Sequence, residues 1–316
     1  MPPELLQGLG HGARLCFRVL PLMLAGCLAG SVFVHSRFGV HCGRLFEPLS
    51  RWAGLGPRGA MYLALCLLNQ VAANAYLSTL LRDRHVEDRR LLGTYLVGWL
   101  PASSHYYVFY FAPVLLPGLG LKTGCTVLAL YVLGSLLICT CGLLLLRFQG
   151  AAAHSGVVPD MEPAPMPSWP GWSFALTAGI KQFVRIARVF VPCILVVAIL
   201  LNLPLTRAMI GGLGGVLTQI GLAGGGVVVV ITALPSMMGG FATAIASLQQ
   251  GVLSHEQIVP LIFLSAIGHA LFSIFSHFLP TNMAIFGPQR GARLTFASLG
   301  VRLPCLVVVL SLALVF

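Results

Sequence analysis

Residues 121–146 read LKTGCTVLALYVLGSLLICTCGLLLL, and Lys122 is the single charged side chain among them. A helix needs about 20 apolar residues to cross a hydrocarbon core of ~30 Å, so this stretch predicts a transmembrane helix. Further stretches of the same kind lie near 14–36, 57–81, 91–117, 187–204, 222–249, 257–279 and 294–316. The predicted fold class is an all-α, polytopic transmembrane helical bundle with about eight spans.

The composition agrees with a membrane protein. Hydrophobic residues make up 57% of the chain, charged residues only 9%, and the mean hydropathy is +0.91. A soluble domain needs about a quarter of its residues charged. No period-two alternation favours a β-barrel. The net charge of +11 is read as Arg and Lys at helix ends beside anionic headgroups, and no basic run interleaved with aromatics predicts nucleic-acid binding.

A proline-rich segment divides the chain nearly in half. Prolines rule out a continued helix and predict an extended linker over 149–171, between a first half at 1–148 and a second at 172–316. The halves share an order of proline, amphipathic piece, glycine-rich turn and polar-studded span. The matching positions are Pro21 with Pro192, Gly54 with Gly221, Ala75 with Ala242, and 86–88 with 253–255.

This order predicts two structural repeats, parallel or inverted, whose interruptions at 69–74 and 235–240 face each other. Secondary transporters are commonly built from such repeats, with the substrate site where they meet. Arg147 before the linker and Lys181 after it predict a cytoplasmic linker, since positive residues stay inside. Arginines between 37 and 58 would then lie outside, unless the piece at 39–55 is interfacial or re-entrant.

Three stretches of the first half resemble a known domain. They are Phe46-Glu47-Pro48-Leu49-Ser50-Arg51, Ala53-Gly54-Leu55-Gly56-Pro57 and Asn69-Gln70-Val71-Ala72-Ala73-Asn74-Ala75. Together they are similar to the Gate domain, or nucleoside-recognition domain, of spore maturation proteins A and B and of the membrane part of ferrous-iron permeases. The resemblance is strongest over about 17–95 and weaker over about 188–262. It implies two Gate-like repeats and a transporter-like protein that handles nucleoside-like solutes.

Every carboxylate falls in a loop, an amphipathic piece or a helix end, and none lies in the middle of a span. The candidate site residues at membrane depth are therefore neutral. Amides both donate and accept hydrogen bonds, which suits a neutral polar solute or packing between helices. Pro235 and the glycines after it predict an interrupted helix that exposes backbone groups to a cavity. The candidate substrate-binding residues are Asn69, Gln70, Asn74, Ser103, Ser104, His105, Ser236, Gly239, Gly240, Ser265, His269 and Asn282.

These features predict a membrane permease for a small polar solute, located in the cell (inner) membrane as a multi-pass protein. No phosphate-binding loop, metal-ligand spacing or cofactor motif is found, so neither an enzyme nor a bound metal or cofactor is expected. The expected partners are the lipid bilayer, the solute and a coupling ion, sodium or proton, with a histidine such as His105, His269 or His277 able to carry the proton. The sequence does not decide whether the protein forms a homo-oligomer. The alternatives are a non-transporting factor of the spore-maturation type and a metal-ion (ferrous-iron) permease.

Overall fold

The computed structural model describes residues 46–68, 70–149, 171–202 and 226–315, with scattered positions between 9 and 28. The described residues form helices and their connections. Within this part of the chain, three helical segments are long and apolar enough to cross a membrane, namely Leu121–Phe148, His255–Phe286 and Pro288–Ala313. The chain is therefore a helical membrane protein, as the apolar stretches predict. The expected span near 14–36, most of the linker and Asn69 lie outside the described residues.

The first region, residues 46–148, contains seven α-helices. A 3-10 turn at Asp88–Arg90 precedes α4, and a π-helical segment at Tyr107–Phe111 separates α5 from α6. The helices are α1 (Glu47–Trp52), α2 (Gly56–Leu68), α3 (Gln70–Arg82), α4 (Leu91–Val97), α5 (Trp99–Tyr106), α6 (Ala112–Leu119) and α7 (Leu121–Phe148).

Helix α8 (Trp172–Asn202) follows the linker, and the second region, residues 226–313, comes after it. A π-helical segment at Ile274–Phe278 lies within the continuous helical segment His255–Phe286 of this region. The helices are α9 (Val227–Ala233), α10 (Met237–Gln249), α11 (His255–Ser273), α12 (Leu279–Phe286) and α13 (Pro288–Ala313).

Helices α9 and α10 form an antiparallel pair, called here the second hairpin. The hydroxyls of Thr232 and Thr243 lie 2.7 Å apart across it. Nearer the turn, a Cβ on Gly240 would lie 2.5 Å from the Cβ of Ala233. The chain reverses at 234–236, where Pro235 supplies no N–H to continue a helical bond.

Helices α2 and α3 form the first hairpin. Arg58, near the start of α2, interacts electrostatically with Tyr76 in the second half of α3. These residues would be far apart along one straight helix, so the chain must turn back near Asn69. Each helix has 13 residues, which gives about 20 Å of length and is too short to cross a bilayer. The stretches 57–81 and 222–249 therefore differ from the single spans expected, since a helix that folds back has the same hydropathy as one that crosses.

The two π-helical segments have a common local cause. Pro113 and Pro280 each lie at the start of the helix that follows the segment. Proline lacks the N–H of a regular helical bond, and its ring clashes with the carbonyl four residues earlier. That carbonyl belongs to Phe109 in one segment and Ser276 in the other. The widened turn relieves the clash while the helix continues.

The two regions repeat one order of elements at a constant spacing. Tyr107 and Ile274, where the π-helical segments begin, are 167 residues apart, and so are Gly120 and Gly287. Gly120 has φ 82° and ψ 162°, and Gly287 has φ 86° and ψ 159°. Only glycine adopts this conformation readily, so each is the hinge before the last helix of its region.

Contacts between the regions are reciprocal under the same spacing. Thr123 hydrogen-bonds His255 at 2.8 Å, and the equivalent residues Arg290 and Asp88 form an ion pair at 3.0 Å. The partners at these four positions are thus exchanged between the two regions.

The last helices of the two regions run in opposite directions. On α7, Gly134 faces Val309 of α13. Cys141, further along α7, interacts with Cys305, which comes earlier along α13. The equivalent helices α7 and α13 are therefore antiparallel.

Candidate functional site: a central cavity between the hairpin tips

A cavity of about 490 Å³ lies where the two regions meet. This volume is within the range of small-molecule sites. Its walls come from α5, α7, α11, α13, both π-helical segments and one end of each hairpin. No Asp or Glu lies among its described lining residues.

Both hairpins reach the cavity with their tips. The first hairpin contributes Gln70, the first residue of α3, to the cavity wall. Pro235, Ser236 and the first residues of α10 represent the second. Ser236 has an extended backbone (φ −157°, ψ 119°), so the peptide groups at this turn are not part of a helix. Irregular backbone at membrane depth is tolerated where it faces protein or a cavity.

His269 of α11 holds the tip of the second hairpin. Its Nδ1 lies 3.1 Å from the carbonyl oxygen of Ala233 and 2.9 Å from that of Leu234. Carbonyl oxygens only accept, so Nδ1 carries the proton and donates a shared hydrogen bond to both. The bond satisfies carbonyls at the end of α9 that have no helical partner. His269 also lines the cavity.

Aromatic side chains form much of the wall. The Tyr107 hydroxyl is 2.6 Å from the Ser135 hydroxyl, and both residues face the cavity. The rings of Tyr131 and Phe263 have centroids 4.8 Å apart, and those of Phe111 and Tyr131 are 5.2 Å apart. Planar aromatic faces with a few hydroxyls suit a ligand that has an apolar body and some polar groups.

Among the described lining residues, Arg302 is the one with a permanent charge. It is 7% exposed and lies near the middle of α13. Its guanidinium carbon is 3.8 Å from the centroid of the Trp99 ring and 4.9 Å from that of Phe278. Within the described residues it has neither a carboxylate nor a hydrogen-bond partner. A charge at the centre of a membrane helix costs about 2.5–3.5 kcal/mol or more, and such residues are usually functional.

The predicted site residues divide between the cavity and the helix interiors. Gln70, Ser103, Ser236 and His269 line the cavity. Ser103 also donates to the carbonyl of Trp99 within its own helix. Asn69 lies outside the described residues.

The other predicted residues are not among those that line the cavity. Ser104 and Ser265 donate to carbonyls four residues earlier, Leu100 and Leu261, within their own helices. The ring of His105 packs on that of Phe109. Gly239 and Gly240 are buried in the second hairpin.

The two remaining amides are buried near one tyrosine. Asn282 is 1% exposed and donates to the hydroxyl of Thr295 at 2.9 Å. Asn74 is 4% exposed, and its side-chain oxygen has no hydrogen-bond partner among the described residues. Both lie beside Tyr95, which is itself buried. These amides join the first hairpin to α4 and α12, which is the packing role of polar groups in membrane helices.

Arg302 is not among the residues predicted from the sequence, although a signal exists. It is the single charged residue between 294 and 316. An ionisable side chain inside an apolar stretch is by itself a functional hypothesis.

Comparison with known proteins gives a relative without a stated function. The chain is 22% identical over 252 residues to the uncharacterized protein MJ1589 of Methanocaldococcus jannaschii, covering 80% of this chain and 97% of the relative. No family model matches the chain, and no solved structure matches it. The function has to be inferred from the chemistry of the cavity.

Proposed function

We propose that the protein is a multi-pass permease of the cell membrane that carries a small polar solute through the central cavity. The observation that carries this proposal is the meeting of two hairpin tips, from regions of opposite direction, at one cavity. Transporters bind substrates at such interrupted helices near the bilayer midplane, between inverted repeats. The resemblance to Gate-domain proteins implies the same class of function.

The two regions are, in this proposal, inverted repeats of one unit. The constant spacing of 167 residues, the reciprocal contacts and the antiparallel α7 and α13 support it. Each hairpin then enters the bilayer from the opposite side and opens the cavity to that side alone. The linker over 149–171 is cytoplasmic. A cysteine at Ala152 in a cysteine-free variant should stay unmodified by an impermeant maleimide in intact cells, and modification there would contradict this orientation.

Uptake by proteoliposomes tests the transport function. Purified protein is reconstituted and challenged with labelled nucleosides, divalent metal ions, organic anions and organic cations. We expect uptake of one class above protein-free vesicles. Folded protein that carries none of the four classes would contradict the proposal and favour a non-transporting membrane factor. Uptake restricted to divalent metals would favour a metal permease instead.

A blocking experiment connects uptake to the cavity. In a cysteine-free variant, Ser236→Cys places a thiol at the tip of the second hairpin, and Thr140→Cys places one on the exposed side of α7. A bulky maleimide on the first should abolish uptake, because it fills the cavity. The same reagent on the second should leave uptake intact. Equal effects would separate transport from the cavity.

A proton, if it is coupled, has to use a histidine of the cavity wall. His269 and His277 line the cavity, whereas His105 lies against Phe109. Replacing all three by Gln should remove any pH dependence of uptake and leave sodium dependence intact. Proton coupling that persists in this triple variant would place the coupling group elsewhere.

A further inference from the structure

We propose that the solute is a small organic anion with a planar apolar body, and that its acidic group pairs with Arg302. The inference rests on the proposed function, because it assigns a substrate class to the same cavity. The cavity and the unpaired guanidinium carry it together.

The positive charge of Arg302 has no counter-charge in the described part of the chain. All carboxylates there are exposed, at Glu47, Asp83, Glu87, Asp88 and Glu256. The pairs they form with arginines involve Arg51, Arg82, Arg89 and Arg290. A buried guanidinium that lines a cavity without a carboxylate is stabilised when an anion enters.

Arg302 is held against aromatic rings and carries the group that suits a carboxylate or a phosphate. Its guanidinium carbon lies 3.8 Å from the centroid of the Trp99 ring and 4.9 Å from that of Phe278. A guanidinium pairs with an acid in bidentate fashion through its N–H groups, and no described residue hydrogen-bonds those of Arg302. Tyr107 lies within electrostatic range of Arg302, and its hydroxyl is bonded to that of Ser135. One of these two hydroxyls donates to the other, which leaves the pair one O–H to donate to an oxygen of the same acidic group.

The remainder of the cavity suits an apolar ring. Tyr106 at the end of α5, Tyr110 and Phe111 of the first π-helical segment, and Phe263 and Met238 of the second region line it. Aromatic walls favour a planar body that stacks on them. A volume of about 490 Å³ holds one or two rings with one acidic group.

The charge lies on one side of the cavity. Residue 135 is the equivalent of residue 302 under the spacing of 167 residues, and it is Ser135. Both residues line the cavity. One arginine against one serine predicts a ligand with a single acidic group, oriented towards α13.

Binding to the purified full-length protein in detergent tests the inference without any need for transport. Dissociation constants are measured by calorimetry for benzoate, phenyl phosphate and the neutral isostere benzamide. Wild type should bind benzoate or phenyl phosphate about 30-fold or more tightly than benzamide, since losing one partner of a buried charge pair has an effect of this size. The better of the two anions tells a carboxylate from a phosphate ligand.

Three variants assign the preference to the guanidinium. Arg302→Gln should abolish it, and Arg302→Lys should keep part of it, because the charge remains but the planar fork is lost. Arg293→Gln is the matched control, since Arg293 is exposed on the same helix and should leave the preference unchanged. Size-exclusion profiles and melting temperatures establish that each variant is folded.

Two outcomes overturn the inference. One is wild-type protein that binds no anion of the panel more tightly than benzamide, a result that needs no variant to be folded. The other is Arg302→Gln protein that keeps the preference. Failure of the proposed function looks different: anion binding that depends on Arg302 without uptake removes the permease and keeps the anion site. Uptake of neutral or cationic solutes that Arg302→Gln leaves unchanged keeps the permease and removes the anion site.

Discussion

The first hairpin (α2 and α3) and the second hairpin (α9 and α10) lie at equivalent points of the two regions, and both tips line the central cavity. The first presents the amide of Gln70. The second presents Pro235 and Ser236, of which Ser236 has an extended backbone, and His269 hydrogen-bonds the carbonyls of Ala233 and Leu234 just before them. Position 102, the equivalent of His269, is Ala102, which offers no such bond.

This difference separates what the scaffold requires from what the proposed ligand requires. The features shared by both regions are backbone features: a chain reversal, a proline after a π-helical segment and a glycine hinge. The features that differ are side chains at the cavity wall, including Ser135 against Arg302. Substitutions at a shared feature should therefore have corresponding effects in both regions. A substitution at the cavity wall should affect one region alone.

The largest expected effect comes from substitutions that disrupt the packing of α7 against α6 and of α13 against α12. A Cβ on Gly291 would lie 2.4 Å from the carbonyl oxygen of Asn282, whereas one on the equivalent Gly124 would lie 3.0 Å from that of Leu115. Gly291→Ala should lower the free energy of unfolding by about 3 kcal/mol, and Gly124→Ala by about 1 kcal/mol. Denaturant unfolding in detergent measures both. Equal losses would mean that the two contacts are equally tight.

The glycine hinges give the next largest effect and sharpen the comparison, because their backbone angles agree within a few degrees. Alanine is strained in this conformation, so Gly120→Ala and Gly287→Ala should each cost about 1–3 kcal/mol. The two losses should be similar, since a Cβ at either site meets no neighbouring atom within 4 Å and backbone strain acts alone. Clearly different melting temperatures for the two variants would argue against equivalent hinges.

The general architecture was predictable because long apolar stretches report membrane helices directly. Interruptions near Asn69 and Pro235 were also predictable, from clustered amides and from a proline followed by glycines. The reversal of the chain was not, since the hydropathy of 57–81 is the same for one crossing and for a hairpin. The 13-residue lengths of α2 and α3 became evident only in the structure.

The lining of the cavity was predictable in part. Gln70, Ser103, Ser236 and His269 line the cavity. Ser265 does not, because a serine in a helix can satisfy itself on the carbonyl four residues earlier, and sequence alone does not tell which hydroxyls do so. Arg302 was missed for a related reason. A long basic side chain in an apolar helix can reach the interface or turn inward, and only the packing of Trp99 and Phe278 around it decides.

A smaller effect should be confined to one hairpin. His269→Ala removes the shared hydrogen bond to the carbonyls of Ala233 and Leu234, which should cost about 1–2 kcal/mol. The amides of residues 234 and 236–238 should then exchange faster with deuterium, while those of the first hairpin keep their rates. His277→Ala is the control, because His277 lines the same cavity but is exposed. Faster exchange in both hairpins would mean that the tips depend on each other.

The smallest effect concerns the two reciprocal contacts between the regions. Asp88 and Arg290 are 60% and 58% exposed, so Asp88→Asn should cost only about 0.5 kcal/mol, and less at high salt, because exposed charges are screened. Thr123 is 7% exposed, and its hydroxyl bonds the ring of His255. Thr123→Val should cost about 1 kcal/mol, with little dependence on salt, because a mostly buried contact of this kind does not rely on exposed charge. Melting temperatures at low and high salt measure both variants. Salt dependence in Thr123→Val equal to that in Asp88→Asn would mean that both contacts are electrostatic and that the two regions do not differ at these positions.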